Sequence, residues 1–370
     1  MSLVSKLQRL DDRAKNDLRT GFYTAFEWKE ILRKRSLYQD VRWSKQQQKD
    51  FDAFWQHAYN KRISNRWHRM YESYNGVFNV EYVPEILYTS KIEPRMNEAA
   101  YGKVLSNKAL FELIYQDASV RFPETIALTD GRTCFDSRRR VIGTDRFIDL
   151  LSNAGEVVIK PSSGFGSGHG IVFANFNCGI DLSTGKTVKD VLTGLITKEV
   201  IVQRYFHQNS VLSSINPTSL NSIRVTTYIV DGKVYYAPLT MRCGSGKSRL
   251  DNIHSGGLVI AVNDNGTLGK TAYRLGHTDV CERMYAHPNS GVVFANINLP
   301  HIDKVIDVAR NLHGRTPHIG IIGWDFSMDG NGKPTIIEAN YHGNSVWFPQ
   351  ICHGKGIFGE HTEYLIQKYT

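Results

Sequence analysis

The sequence predicts an α+β protein in which antiparallel sheets follow a helical N-terminal region. Three observations predict it. Before residue 70, apolar residues recur at helical spacing, and after about residue 122 short apolar runs read as strands. Two of the breaks between those runs, Asp231-Gly232-Lys233 and Asp329-Gly330-Asn331-Gly332, carry hairpin turn residues. At 370 residues the chain exceeds the size of one core, so two or three subdomains are expected.

The elements follow in order. Leu3, Leu7, Leu10, Ala14 and Leu18 keep three-to-four spacing, as do Phe51, Phe54, Trp55 and Ala58, and both sets predict helices. Pro84 and Pro94 break the periodicity, so residues 78–97 read as irregular. Asn107 is the expected N-cap of a helix that buries Leu110, Leu113 and Ile114. Strands are expected over 156–160, 200–205, 224–230, 234–242, 257–263, around Gly323 and over 335–340. One helix interrupts them, with Ile302, Val305, Ile306, Ala309 and Leu312 on its buried face. The chain has no internal repeat and no low-complexity segment.

Composition narrows the partners. The 45 lysines and arginines oppose 36 aspartates and glutamates, a net charge of +9. Much of the excess precedes residue 70, including Arg33-Lys34-Arg35 and Lys61-Arg62, where a solvated helical surface accounts for it as well as an anionic partner does. No nucleic-acid-binding signature accompanies the charge, so nucleic acid is not an expected partner. No apolar run approaches the ~20 residues of a membrane-spanning helix, and the first residues lack the apolar core of a signal peptide. The expectation is a cytoplasmic protein that is not an integral membrane protein. Five dispersed cysteines without a Cys-x-x-Cys pair argue against a disulfide framework or a structural zinc site.

The densest chemistry lies near the C-terminus. Gly323-Trp324-Asp325 and Ile336-Ile337-Glu338-Ala339-Asn340 flank a hairpin turn, so pairing brings Asp325 near Glu338, with Asn340 on the same strand face. The expected result is two carboxylates and an amide oxygen in one small volume, with no basic residue among them. Such hard oxygen ligands suit Mg²⁺; a hairpin whose acids simply face solvent is the competing reading.

Upstream, Val157-Val158-Ile159-Lys160-Pro161 delivers a lysine into Ser162-Ser163-Gly164-Phe165-Gly166-Ser167-Gly168-His169-Gly170, and a further apolar strand follows. Glycine backbone and serine hydroxyls can approach phosphate oxygens, and Lys160 supplies a charge, although a ligand-free flexible hairpin has the same composition. Gly-x-Gly-x-x-Gly fails because positions 169 and 171 are His and Ile, and Gly246-Lys247-Ser248 fails as a phosphate loop because position 241 is Met. The hairpin around Gly232 sets residue 224 opposite 240, so Arg224 and Arg242 share one face and need an anion between them, or separate surface acids. The loop 243–257, rich in Gly and Ser, reads as a mobile cover or a plain connector. No nucleophile elbow or cysteine signature is present, and His169 and His254 stand out only for lying in the two glycine-rich loops.

In this order, the lysine strand, glycine loop, arginine hairpin and Asp…Glu-x-Asn resemble the ATP-grasp superfamily. More narrowly they resemble the sugar-transfer-associated ATP-grasp proteins of polysaccharide biosynthesis. The likeness covers about residues 78–350 and includes Val83-Pro84-Glu85, Ile92-Glu93-Pro94-Arg95-Met96-Asn97, Ser106-Asn107-Lys108, Asn221-Ser222-Ile223-Arg224, Asp251-Asn252-Ile253-His254 and His287-Pro288.

The resemblance implies an ATP-grasp fold, two α+β lobes with antiparallel sheets clasping ATP. With it come a helical region over 1–77, an N-terminal lobe over 78–205 and a C-terminal lobe over 206–370. By position, Lys108 and Lys160 would contact the phosphates, and Ser162, Ser163, Gly164, Gly166 and Gly168 would fold over them. Gln203, Arg204, Tyr205 and Phe206 would form an edge segment whose backbone reads adenine, with Gln203 where the family often has an acid. Asp325, Glu338 and Asn340 would bind two Mg²⁺ ions, with Glu338 bridging. Arg224 and Arg242 would steady the transferred phosphoryl group, beside Asn252 and His254 of the closing loop. The implied reaction joins a carboxylate, such as a sugar acid or amino acid, to an amine, with release of ADP and phosphate. An ATP-grasp phosphotransferase and a non-catalytic nucleotide- or glycan-binding protein are the alternatives.

Overall fold

The computed structural model describes residues 3–115, 120–163, 170–276 and 279–370, with the backbone alone for 3–16 and His254. Four helices open the chain: α1 (Leu3–Arg33), α2 (Arg35–Tyr38), α3 (Lys45–Tyr59) and α4 (Arg66–Asn75). Helix α3 begins at a reciprocal cap, Ser44 to Gln47, and ends at Asn60 in a left-handed conformation. Its Phe51, Trp55 and Ala58 are buried, as their spacing requires.

Of the stretch expected to be irregular, residues 78–84 are so, but 85–96 are helical. Glu85–Leu87, a π turn at Tyr88–Ile92 and Glu93–Met96 form one run. Pro84 is its N-cap and Pro94 falls in the first turn of the last piece, where a missing N–H is tolerated. Leu87, Tyr88, Ile92 and Met96 pack on Tyr228, Ile321 and Phe358, and that burial overrides the weak local pattern. Asn107 does cap the helix Lys108–Ile114, accepting from the Ala109 and Leu110 amides. Its buried face is not the expected one, since Leu110, Leu113 and Ile114 are 42, 46 and 51% exposed. Phe111 and Tyr115 turn inward instead, against Trp324.

The first sheet holds β1 (Thr125–Asp130), β2 (Cys134–Asp136), β3 (Val141–Ile142), β4 (Gly155–Pro161), β5 (Val172–Asn177), β6 (Ile180–Asp181) and β7 (Glu199–Arg204), in the order β3-β2-β1-β7-β4-β5-β6. The second holds β8 (Ser222–Val230), β9 (Lys233–Tyr236), β10 (Leu239–Cys243), β11 (Leu258–Val262), β12 (Leu268–Arg274), β13 (Glu282–Met284), β14 (Ile321–Met328) and β15 (Pro334–Asn340). Its path runs β13-β12-β11-β10-β8-β14-β15, with β9 also on β8. The helix Ile302–His313 is found as expected, but Thr144–Ser152, Val188–Leu192, Ser210–Ile215, Trp347–His353 and Thr362–Tyr369 are further helices that the sequence reading missed. Most are short, and brief helices leave too few turns for a period to stand out.

Alternation along β8, β14 and β15 separates core from cleft. Ile223, Val225, Ile322, Trp324, Phe326 and Ile336 face the core of the second lobe, so Arg224 and Asp325 face the other way. The Trp324 indole donates to Thr227 Oγ1 at 2.8 Å, which satisfies the one polar atom that ring buries.

Candidate active site

The cleft between the sheets is lined from the first lobe by Lys160, Gln203, Tyr205 and Phe206, and from the second by Arg242, Asp251, Asn252, Asp325 and Glu338. The β14–β15 hairpin pairs Ser327 with Thr335 and Phe326 with Ile336, then slips by one residue so that Asp325 faces Glu338. Ile337 is the bulged residue, and bulges of this kind re-aim the side chains beyond them. Both Ile337 and Glu338 line the cleft as a result. At the other end of β8, Asp231 and Gly232 both have positive φ, 47° and 75°, as a two-residue hairpin turn requires. Thr240 then lies opposite Arg224 and Arg242 opposite Ser222.

The expectation of carboxylates free of basic neighbours is overturned. Arg224 grips Asp325 through two bonds, Nε to Oδ1 at 2.6 Å and Nη2 to Oδ2 at 2.9 Å. Arg242 Nη2 lies 2.9 Å from the same Oδ2, and Lys108 Nζ lies 3.1 Å from Glu338 Oε1. The cause is sheet order: β8 flanks β14 on the side away from β15 and pairs Arg224 directly with Asp325. The anion that the two arginines need between them is therefore the protein's own Asp325. Burial alone would raise its pKa, but the two guanidinia lower it below the ordinary carboxylate value. Burial likewise opposes the charge on Arg242, yet Asp251, Asp325 and Glu338 outweigh it and hold the guanidinium protonated. Gly323 fits this arrangement because a Cβ there would stand 2.0 Å from Asn344 Oδ1 and 3.2 Å from Arg224 Nη1.

Two further residues of the cleft are not among the expected site residues. Asp251 is half-buried, accepts from the Ser222 hydroxyl and lies 3.6 Å from Arg242 Nε. Burial raises its pKa more than Arg242 lowers it. Arg249 reaches across the cleft from the 243–257 loop, its guanidinium 4.2 Å from the Phe173 ring centre and 5.0 Å from that of Tyr205. An arginine in a glycine- and serine-rich loop was the only signal available for it.

At the base of the cleft, the Lys108 amide donates to Ser162 O at 2.7 Å and ties that helix to the end of β4. Lys160 is buried on β4, and desolvation with repulsion from Lys108 lowers its pKa to about 8, against the pull of Glu338 and Glu112. Ser163 Oγ bonds the Glu199 carboxylate. Gly164, Gly166 and Gly168 lie outside the described residues, as does the side chain of His254. Asn252 lines the cleft, and its carbonyl accepts from the Ser255 and Gly257 amides.

The segment expected at a sheet edge is interior. Gln203 pairs with Thr125 on β1 and with Val158 on β4. Its side-chain amide is turned onto Glu112, Pro123 O and Thr125 Oγ1. Arg204 bonds Glu124 and Ala154 O, and the Tyr205 amide bonds Glu156 O. Phe206 lies beyond the end of β7.

The residues present suit a nucleotide and, through Glu338 and Asn340, a cation. Ser162 Oγ, at the end of β4 near Lys160, is buried without a hydrogen-bond partner, a polar atom of the kind a phosphate oxygen could satisfy. The oxygens of Glu338 and Asn340 are of the type Mg²⁺ prefers. Asp325 Oδ2 is fully engaged, since it receives Arg224 Nη2, Arg242 Nη2 and Asn340 Nδ2, whereas Oδ1 takes Arg224 Nε alone. Its room for a cation is therefore on Oδ1, beside the Arg224 guanidinium.

Two α+β lobes of antiparallel sheet, closing on a cleft of lysines, arginines and acids, define the ATP-grasp class. The chain belongs to the sugar-transfer associated ATP-grasp family, whose sequence model matches residues 88–364. No protein of curated function matches the sequence. Solved structures similar to it include N5-carboxyaminoimidazole synthetase from Staphylococcus aureus complexed with ADP, at 11% identity and TM-score 0.38, over 65% of this chain and 46% of that one. The L-amino acid ligase from Bacillus licheniformis gives 11% and 0.37, over 72% and 48%. D-alanyl-alanine synthetase A from Vibrio cholerae gives 14% and 0.40, over 71% and 62%. The chain thus spans about half the length of the first of these structures.

Proposed function

We propose that the protein is an ATP-dependent carboxylate–amine ligase that releases ADP and phosphate and acts on a sugar acid or amino acid in polysaccharide biosynthesis. One observation carries the reading: Arg224, Arg242, Lys108 and Lys160 converge with Asp325, Glu338 and Asp251 at one end of a cleft between two lobes. In this reading Lys108 and Lys160, with the Ser162 hydroxyl, hold phosphates. The planar forks of Arg224 and Arg242 suit the crowded oxygens of a phosphoryl group in transfer. Glu338 and Asn340 would hold Mg²⁺, which supplies charge neutralisation at the terminal phosphates. ATP supplies a phosphoryl group to the carboxylate oxygen, and an amine then displaces phosphate at the carbonyl carbon. Arg249, stacked on Phe173 and Tyr205, helps the 243–257 loop close against water, which would otherwise compete with the amine.

The experiment is a screen of uronic acids and amino acids with amines, scoring ADP and phosphate together with the hydroxamate formed when hydroxylamine replaces the amine. The expected result is hydroxamate with ADP and phosphate. AMP with pyrophosphate, or phosphate retained on a hydroxyl acceptor without hydroxamate, would overturn the ligase reading.

A further inference from the structure

Most of the chain's positive excess sits ahead of the family-matched span: before residue 71 there are sixteen lysines and arginines against eight aspartates and glutamates. The fold gathers part of this excess into one cavity. Arg35, Arg42, Arg66 and Arg69 line it, together with Leu32 and Tyr38, and no carboxylate is among the lining residues. Three of the four arginines are held in place by neutral partners. Arg69 donates to Val41 O and Gln39 O at 3.0 Å each, and Arg42 donates to Gln39 O at 3.1 Å. The Arg66 guanidinium lies 5.4 Å from the ring centre of Trp28, which packs edge-on against buried Trp67. Four like charges fixed around one cavity repel each other unless an anion enters, and the planar fork of arginine matches phosphate.

An apolar stripe leads into the same cavity. On α1, Leu18, Phe22, Phe26 and Leu32 are 76, 66, 46 and 52% exposed. At 100° per residue they fall within an arc of about 120°, together with Ala25 and Lys29. Phe22 and Phe26 stack with ring centres 6.4 Å apart. Leu32, the last of the stripe, is itself part of the cavity wall. A long lysine within such a face can reach past it to headgroups.

We propose that this region docks the protein on an anionic bilayer surface. Lipid phosphates seat among Arg35, Arg42, Arg66 and Arg69, while Leu18, Phe22, Phe26 and Leu32 enter the interface. A basic cluster joined to an exposed apolar helix face is the pattern of an interfacial helix. A free phosphate would satisfy the arginines and leave the stripe in water. A parallel pairing of two copies along the stripe would set two arginine cavities side by side, with like charges opposed. The site is separate from the cleft, so its failure leaves the ligase reading untouched.

The test is flotation of the full chain with phosphatidylglycerol vesicles and with phosphatidylcholine vesicles, at two salt concentrations. Binding to the anionic vesicles alone, weakened by salt, is expected. Replacing Arg35→Gln and Arg42→Gln together lowers partitioning on the order of 20-fold, at roughly five-fold per arginine. Replacing Phe22→Ser and Phe26→Ser lowers it on the order of tenfold or more. The charge-keeping pair Arg35→Lys and Arg42→Lys retains most of the binding, and an unchanged melting temperature shows that each variant is folded. Equal flotation with both vesicle types, or none, overturns the proposal. Binding of inorganic diphosphate without vesicle association, or a lipid-free dimer abolished by the phenylalanine changes, overturns it equally.

Discussion

Arg224 and Asp325 face each other across adjacent strands, and Nε lies 2.6 Å from Oδ1 in the wall of the cleft. Arg242 shares the same carboxylate, so one acid holds two cations that a phosphoryl group would otherwise attract. Asp325→Asn leaves the largely buried Arg224 guanidinium without its acid and Arg242 with Asp251 as its ion-pair partner. The expected cost is ~3–5 kcal/mol of stability, read as a lower midpoint in denaturant unfolding. An unchanged midpoint would show that the cluster does not stabilise the fold.

Glu338→Ala should behave in the opposite way. Its side chain is partly exposed and its ion pair with Lys108 is partly solvated, so little stability rests on it. Loss of Mg²⁺-dependent ATP turnover with a nearly unchanged melting temperature is expected. Turnover at the parental rate would remove Glu338 from the site.

Lys160 gives a pH signature of two signs. The unfolded chain keeps its proton up to the ordinary value of 10.5, and the folded chain only to about 8. Between these the unfolded state binds more protons, so this residue's contribution to stability rises with pH. Phosphate binding needs the charged form, so affinity for a non-hydrolysable ATP analogue falls as pH rises through about 8. Lys160→Met should flatten both trends in calorimetric titrations and pH-dependent unfolding, and weaken binding by about 1–3 kcal/mol at neutral pH. A pH profile identical to the parent's would show that Lys160 does not meet the phosphates.

Arg249→Ala removes a stacked contact of about 0.5–2 kcal/mol between the loop and the first lobe. Faster amide exchange over residues 244–256 and a higher ratio of ATP hydrolysis to ligation are the expected outcomes. Exchange unchanged in that segment would leave the bridge without effect on the loop.

Arg242→Lys keeps a charge but loses the fork that spans Asp325, Ser222 and Asp251. The turnover rate should fall by more than ATP-analogue affinity does. Equal losses in steady-state rates and titrations would place Arg242 with the nucleotide instead.

By itself, the sequence determined what local pattern and short range can carry. It marked the α+β class, the caps at Asn107, the hairpin that brings Asp325 to Glu338, and the Arg224–Thr240 register, because turn residues and strand alternation set these within a few residues. Only the tertiary structure decided which strand lies on the far side of β14. That choice sets Arg224, about a hundred positions upstream, against Asp325, and turns an expected cation-free acid pair into a charge cluster. The same holds for β7, whose interior place no periodicity records, and for the Glu85–Met96 run, made helical by burial against the second lobe. Side-chain alternation is a property of one strand, whereas neighbours across a sheet depend on how distant strands are ordered, and that order is settled only when the lobe packs.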